Sequence, residues 1–303
     1  MIDILKILDS FIYDLDSKGS TRKGCSDDFS SGSIFGDSSS PNVAMIDSFD
    51  DKTVDIDGDG VADIAHGEST SAMVKSQCPD ANIEEYDGVT PDSFNSSCED
   101  IADSINNGKK MDGVNISLAQ NMDIDELGEK TGLPLDRDNL SEYKDQIKNK
   151  MKNSKDPKLQ TAYKEIKSIE KITATGTPVY ISAGNEGKDS LNLLNLADGA
   201  TNVGTDHPYS ASNDLVNRYE VGNYESRETY DDNGDPTGYD FTNDYNPDVS
   251  MDEVSGGTSK KDPYYVAGTS YSAPTALGED IAGSQNDDGG GNNGYSPLLI
   301  IYC

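Results

Sequence analysis

Basic side chains are scarce in this 303-residue chain: 24 Lys and Arg stand against 56 Asp and Glu, a formal net charge of −32. That excludes most binders of nucleic acid or of an anionic membrane, which would need a local basic patch working against a repulsive global field. Long apolar runs are missing too, and no stretch approaches the roughly 18 to 20 apolar residues that span a bilayer. The four cysteines, Cys25, Cys78, Cys98 and Cys303, form no CxxC pair and no zinc spacing. They read as buried or free thiols, with a Cys78 to Cys98 disulfide left open. The opening MIDILKILDSFIYDLD lacks a basic n-region and a cleavage site, so no signal peptide is expected. The default expectation is a cytoplasmic protein, or one exported by a non-classical route. Histidine is scarce too: only His66 and His207 are present, and a proton shuttle near neutral pH has those two positions to draw on.

What is present divides into two parts. Residues 1–40 are expected to hold an amphipathic helix, with Ile4, Leu5, Leu8, Phe11, Ile12 and Leu15 at helical spacing, and then a Ser/Gly/Asp-rich linker. From Pro41 short apolar runs alternate with helical patterns. NVAMIDSF, NIEEYD, GVNISLA and PVYISAG read as strands. Helices are expected over STSAMVKSQC, over the stretch carrying Phe94, Cys98, Ile101 and Ile105 that Gly108 closes, and over residues 158–173. This order predicts an α/β fold: a doubly wound, mostly parallel sheet with helices on both faces. A polar, Lys-bearing insertion occupies about 120–157, to be read either as a peripheral helical addition or as an overhang on a cleft. Residues 207–262 are expected to be surface loops and short antiparallel strands.

Chemistry concentrates at a few points. His66 sits in AHGESTSAMV where a loop turns into a helix, whereas His207, in DHPYS, reads as a surface-loop histidine. Ser270 lies in GTSYSAP, at the start of a helix with Pro274 in its first turn, where the helix dipole favours developing negative charge. Asn185, in AGNEG, and Asp47, at the end of NVAMID, both stand at strand carboxyl ends, where open α/β sheets place their sites. An amide there can donate into a cleft.

GTSYSAP matches the nucleophile motif GTSxSAP of the subtilisin-like serine peptidases at every fixed position. VYISAGNEG, VAMIDS, HGESTSAMV and NISLA resemble that family's oxyanion, aspartate, histidine and substrate-strand segments, in the same order, over about residues 41–280. The resemblance implies a catalytic domain over 41–303 with Asp47, His66 and Ser270 as triad and Asn185 as oxyanion donor. Ser117, Leu118 and Ala119 would pair with an extended substrate. It implies a monomeric endopeptidase acting on peptides or proteins, with no cofactor needed for the chemistry. The sequence departs from the pattern at Phe49, at Glu68 and Ser69, and at Ala119. The C-terminal end also looks shortened, so that the helix behind Ser270 is expected to be short.

Asp55, Asp57, Asp59 and Asp63 in DIDGDGVAD fall at positions 1, 3, 5 and 9 of an EF-hand-like loop, but His66 stands where the closing Glu belongs. A structural calcium loop and an acidic solvated turn are the two readings. The competing function class is accordingly an inactive subtilase-like or acidic calcium-binding interaction domain.

Overall fold

Val43, Ala44, Met45 and Ile46 are all fully buried, and such an unbroken apolar run is what a strand covered on both faces requires. In the computed structural model, which describes residues 40–54, 64–230, 236–242 and 264–287, this run forms β1 (Asn42–Asp47). The expected N-terminal helix with nearly all of its linker, the acidic loop and the C-terminal tail lie outside the described residues.

After β1 come β2 (Lys52–Val54), β3 (Ile64–Ala65), α1 (His66–Gln77), β4 (Asn82–Asp87), α2 (Pro91–Asn106) and β5 (Gly113–Ile116). The expected insertion contributes β6 (Asn121–Asp123), α3 (Ile124–Thr131) and α4 (Leu140–Lys152). Then follow α5 (Pro157–Thr173), β7 (Val179–Ser182), β8 (Ser190–Asn192), a 3-10 turn (Leu193–Leu196), β9 (Thr201–Gly204) and β10 (Arg218–Tyr219). The last elements are β11 (Asn223–Tyr230), β12 (Pro236–Thr242), β13 (Tyr264–Ala267) and α6 (Thr269–Asp287). Six strands make one sheet in the order β10-β9-β7-β5-β1-β4, every pairing parallel. The order reverses at β1, and the carboxyl ends of the strands at such a reversal are where open α/β sheets place their sites. The doubly wound α/β expectation holds.

The two-residue period of β1 sorts the core. Ala44 and Ile46 join the apolar faces of α2 and α5, while Val43 and Met45 meet Val74 of α1 and Ala273, Ala276 and Leu277 of α6. Local chemistry starts the helices where they are needed. Thr90 Oγ1 accepts from Ser93 N at 3.1 Å with Pro91 at the first helical position of α2, and Asp156 accepts from Lys158 N at 2.9 Å ahead of α5. Leu127, Leu140, Ile147 and Met151 of the insertion are fully buried in the same core as α5. Lys148 ties α4 to Glu170 at 3.0 Å and to Asp198 at 2.5 Å.

Several details correct the sequence reading. The GVNISLA strand ends at Ile116, because its ladder to β7 stops at the Ile116 and Ile181 pair. The helix expected to be short, α6, runs for 19 residues; its buried Ala273, Ala276, Leu277 and Ile281 supply the apolar face that keeps it against the sheet. Cys78 and Cys98 are buried free thiols in separate apolar clusters, on opposite sides of the sheet. Burial pushes both thiols up. Among the described residues no helix is long and apolar enough to cross a membrane.

One buried acid stands out. Glu165 of α5 is 2% exposed; its Oε1 has only a long 3.5 Å contact from Gln120 Nε2, and its Oε2 has no partner. Burial pushes this carboxyl from 4.5 up to about 7. The fold therefore holds the proton more tightly than the unfolded chain does. The stability this contributes is complete below about pH 4.5 and is lost as pH rises through about 7. Glu165→Gln removes that dependence: urea unfolding should find the variant gaining on the wild type between pH 5 and pH 8, by on the order of 3 kcal/mol. An unchanged difference at the two pH values would show that Glu165 is not held protonated.

Candidate active site

Asp47 ends β1 and His66 begins α1, and the backbone joins them: Gly67 N–H donates to Ser48 O at 2.8 Å. Asp47 and His66 are 0% and 1% exposed, and His66 Nδ1 lies 2.6 Å from Asp47 Oδ1. The same carboxylate oxygen accepts from Ser48 N at 2.8 Å, and Oδ2 accepts from Thr70 Oγ1 at 2.8 Å. A carboxylate so placed selects the tautomer with the proton on Nδ1 and leaves the Nε2 lone pair available. The departures around this pair act on the helix entry. Glu68 Oε2 accepts from Ala65 N at 2.9 Å, satisfying a donor at the start of α1. The Phe49 ring covers Gly67 so closely that a Cβ there would lie 2.5 Å from a ring carbon.

Ser270 is the second residue of α6, after Gly268. Gly268 has φ +148°, and a Cβ on it would come within 3.0 Å of Asn185 Nδ2. Both facts call for glycine at the turn. Pro274, four residues beyond Ser270, lacks an N–H, so the Ser270 carbonyl loses its helical partner. Ser117 Oγ supplies one, donating to that carbonyl at 2.8 Å, while Asn115 Nδ2 donates to Ser117 Oγ at 2.9 Å. The Ser270 hydroxyl in turn donates to Ser117 O at 3.4 Å, a long bond that holds the side chain loosely. Tyr271 sets its ring edgewise to His66, centroids 6.0 Å apart. Asp47, His66, Ser117 and Ser270 are thus gathered where the sheet order reverses.

Asn185 follows β7 and is fixed by the residue before the serine. Its Oδ1 accepts from Thr269 N at 2.8 Å and from Thr269 Oγ1 at 3.0 Å, and Thr269 Oγ1 accepts from Gly184 N at 3.0 Å. With the oxygen end occupied, the Nδ2 end is the free donor, next to Gly268. Of the segment expected to pair with substrate, Ser117 turns inward to brace Ser270, Leu118 packs against the core over Gly88, and Ala119 is exposed. Asp55, Asp57, Asp59 and Asp63 lie outside the described residues.

Sequence reasoning did not name Thr70 and misplaced His207. Thr70 stands at i+4 from His66, and that spacing is the signal that could have placed it on the same helix face. His207 is not a surface histidine: it is 4% exposed, stacked on Tyr209 at 5.3 Å, with Nε2 2.6 Å from Asn223 Nδ2. Polar neighbours in sequence hid that burial, which pushes its pKa down and favours the neutral ring. Asn223 pairs with Ala267 of β13, so His207 supports the approach to Gly268.

No family model matches the chain, and no curated protein matches it. Among solved structures it is similar to a lanthipeptide protease, at 16% identity and TM-score 0.40 over 78% of this chain and 71% of that one. It is similar to the prenylagaramide maturation protease PagA, at 13% identity and TM-score 0.45 over 82% and 77%. The epidermin leader peptide processing serine protease of Staphylococcus aureus gives 14% identity and TM-score 0.46 over 87% and 75%. In its motifs and their order the chain resembles the subtilisin-like serine peptidases. What the site can do rests on its own side chains.

Ser117→Ala removes the donor to the Ser270 carbonyl and leaves a buried acceptor unpaired. Urea unfolding should show a loss of about 1–3 kcal/mol. A loss under about 0.5 kcal/mol would mean that this bond does not brace the helix.

Proposed function

We propose that the chain is a subtilisin-like serine endopeptidase that hydrolyses peptide bonds through an acyl-enzyme. The observation that carries this reading is the buried 2.6 Å contact of Asp47 with His66, whose ring meets edge-on that of Tyr271, the residue after Ser270, at the start of a 19-residue helix. Ser270 Oγ attacks the scissile carbonyl carbon while His66 Nε2 takes its proton, and Asp47 stabilises the imidazolium. The carbonyl oxygen, now an oxyanion, is held by Asn185 Nδ2 and by the Ser270 backbone N–H at the positive end of α6. Collapse expels the amine, which receives the proton from His66, and leaves an ester on Ser270. Water, deprotonated by His66, then releases the acid and restores the hydroxyl. No cofactor enters these steps.

An extended peptide adds alongside residues 117–119, and the acidity of the molecule favours basic or neutral substrates over acidic ones. The enzyme acts as a monomer. Calcium, where it binds, is structural and is held by Asp55, Asp57, Asp59 and Asp63. A calcium titration should raise the thermal midpoint of the wild type but not of Asp57→Ala, and equal midpoints with and without calcium would remove this site.

Incubation with a mixture of unstructured peptides, read by mass spectrometry, tests the activity. Wild type should generate internal cleavages and Ser270→Ala none. Asn185→Ala should lower kcat by about 10²–10³ with KM little changed. Cleavage by Ser270→Ala at the wild-type rate would overturn the assignment.

A further inference from the structure

Asn192, the last residue of β8, is fully buried and spends its whole amide on backbone. Its Nδ2 donates to Leu118 O at 3.1 Å and to Ser182 O at 2.8 Å, and its Oδ1 accepts from Gln120 N at 3.0 Å and Leu194 N at 3.2 Å. Two N–H groups and two lone pairs are all that a side-chain amide possesses. Leu118 and Gln120 flank Ala119 on the segment after β5, and Ser182 ends β7, three residues before Asn185. The ladder between β5 and β7 ends at the Ile116 and Ile181 pair. Beyond it that ladder no longer fixes how far the 117–120 segment stands from the 182–185 segment; apart from a long 3.4 Å bond from Ser182 Oγ to Leu118 O, the Asn192 amide is what bridges the two. Leu193 N–H adds a bond to Gln120 O at 3.1 Å on the same side.

We propose that Asn192 is a positioning residue that sets the spacing between the segment pairing with substrate and the segment presenting the oxyanion donor. The proposal rests on the peptidase reading above and deepens it. The contacts that prepare the nucleophile run from Asp47 to His66, from Ser117 to Ser270 and from Asn185 to Thr269, and none of these bonds involves Asn192. Loss of the Asn192 amide therefore impairs recognition of an extended peptide and spares the intrinsic reactivity of Ser270. Asn195 is an internal comparison: it donates to the same Ser182 O at 3.2 Å but makes no bond to the 117–120 segment.

The test takes the ratio of two rates in the full chain: kcat/KM for a peptide spanning several residues on each side of the scissile bond, and the labelling rate of Ser270 by a small alkyl fluorophosphonate. Asn192→Ala should lower the peptide rate at least about tenfold, chiefly through KM, with labelling within about threefold of wild type. Asn192→Asp keeps the shape and the accepted bonds but replaces donation with repulsion. It should show the same selective loss at pH 8 and partial recovery of the ratio as its carboxyl takes up a proton, since the titration of His66 cancels in the ratio. Asn195→Ala should leave the ratio unchanged. Equal falls of both rates in the two Asn192 variants, an unchanged ratio, or the same selective loss in Asn195→Ala would overturn the proposal. Failure of folded wild type to be labelled at all would instead remove the peptidase reading beneath it.

Discussion

A carboxylate taken wholly out of water is tolerable only when its lone pairs are occupied, and the arrangement around Asp47 meets that condition three times. His66, Ser48 and Thr70 all donate to it. Two of these donors belong to the first turn and a half of α1, so the requirement that Asp47 be satisfied also fixes where that helix begins and how it rolls. The imidazole is consequently oriented by a strand end rather than by a surface loop. Ser270 and Asn185 are held by the same logic, through Ser117 in one case and Thr269 in the other.

The sheet gives these contacts a rigid frame. β1, β5 and β7 are adjacent and parallel, so their carboxyl ends lie side by side along one edge of the sheet, and α1 and α6 lie together on one of its faces. The scarcity of cations makes the placement of each informative. Arg218, at the sheet edge, meets Glu220 at 2.9 Å, Glu279 at 2.8 Å and Asp280 at 2.7 Å, and Asp280 also accepts from the Tyr180 hydroxyl. One guanidinium thereby anchors the middle of the helix that carries Ser270. Lys148 serves the insertion in the same manner, joining α4 to Glu170 and Asp198. In a chain of net charge −32, such shared cations relieve acid–acid repulsion where elements must touch.

Local patterns made much of this legible in advance. The apolar run Val43 to Ile46, the three- and four-residue steps of α5, and the turn into α6 at Gly268 each record their own structure in a few consecutive residues. What escaped depends on partners far away in the chain. The bracing role of Ser117 is one such case, since its hydroxyl bonds a carbonyl 153 residues on. His207 lies among polar residues, and only Tyr209 and Asn223 folding over it make it a buried ring. Asn192 in the apolar stretch SLNLLNLA carries no periodic signal of a clamp. The end of β5 was overrun because apolar character continues past Ile116 while the hydrogen-bond ladder does not.

In the proposed function Asp47, His66, Asn185 and Ser270 form one nucleophilic centre. The most direct measurement is reaction with a fluorophosphonate followed by peptide mapping of the adduct. A single adduct on Ser270 is expected in the wild type, and its loss in a folded His66→Ala protein. A folded wild type that takes no label, or an adduct formed at the same rate without His66, would contradict it.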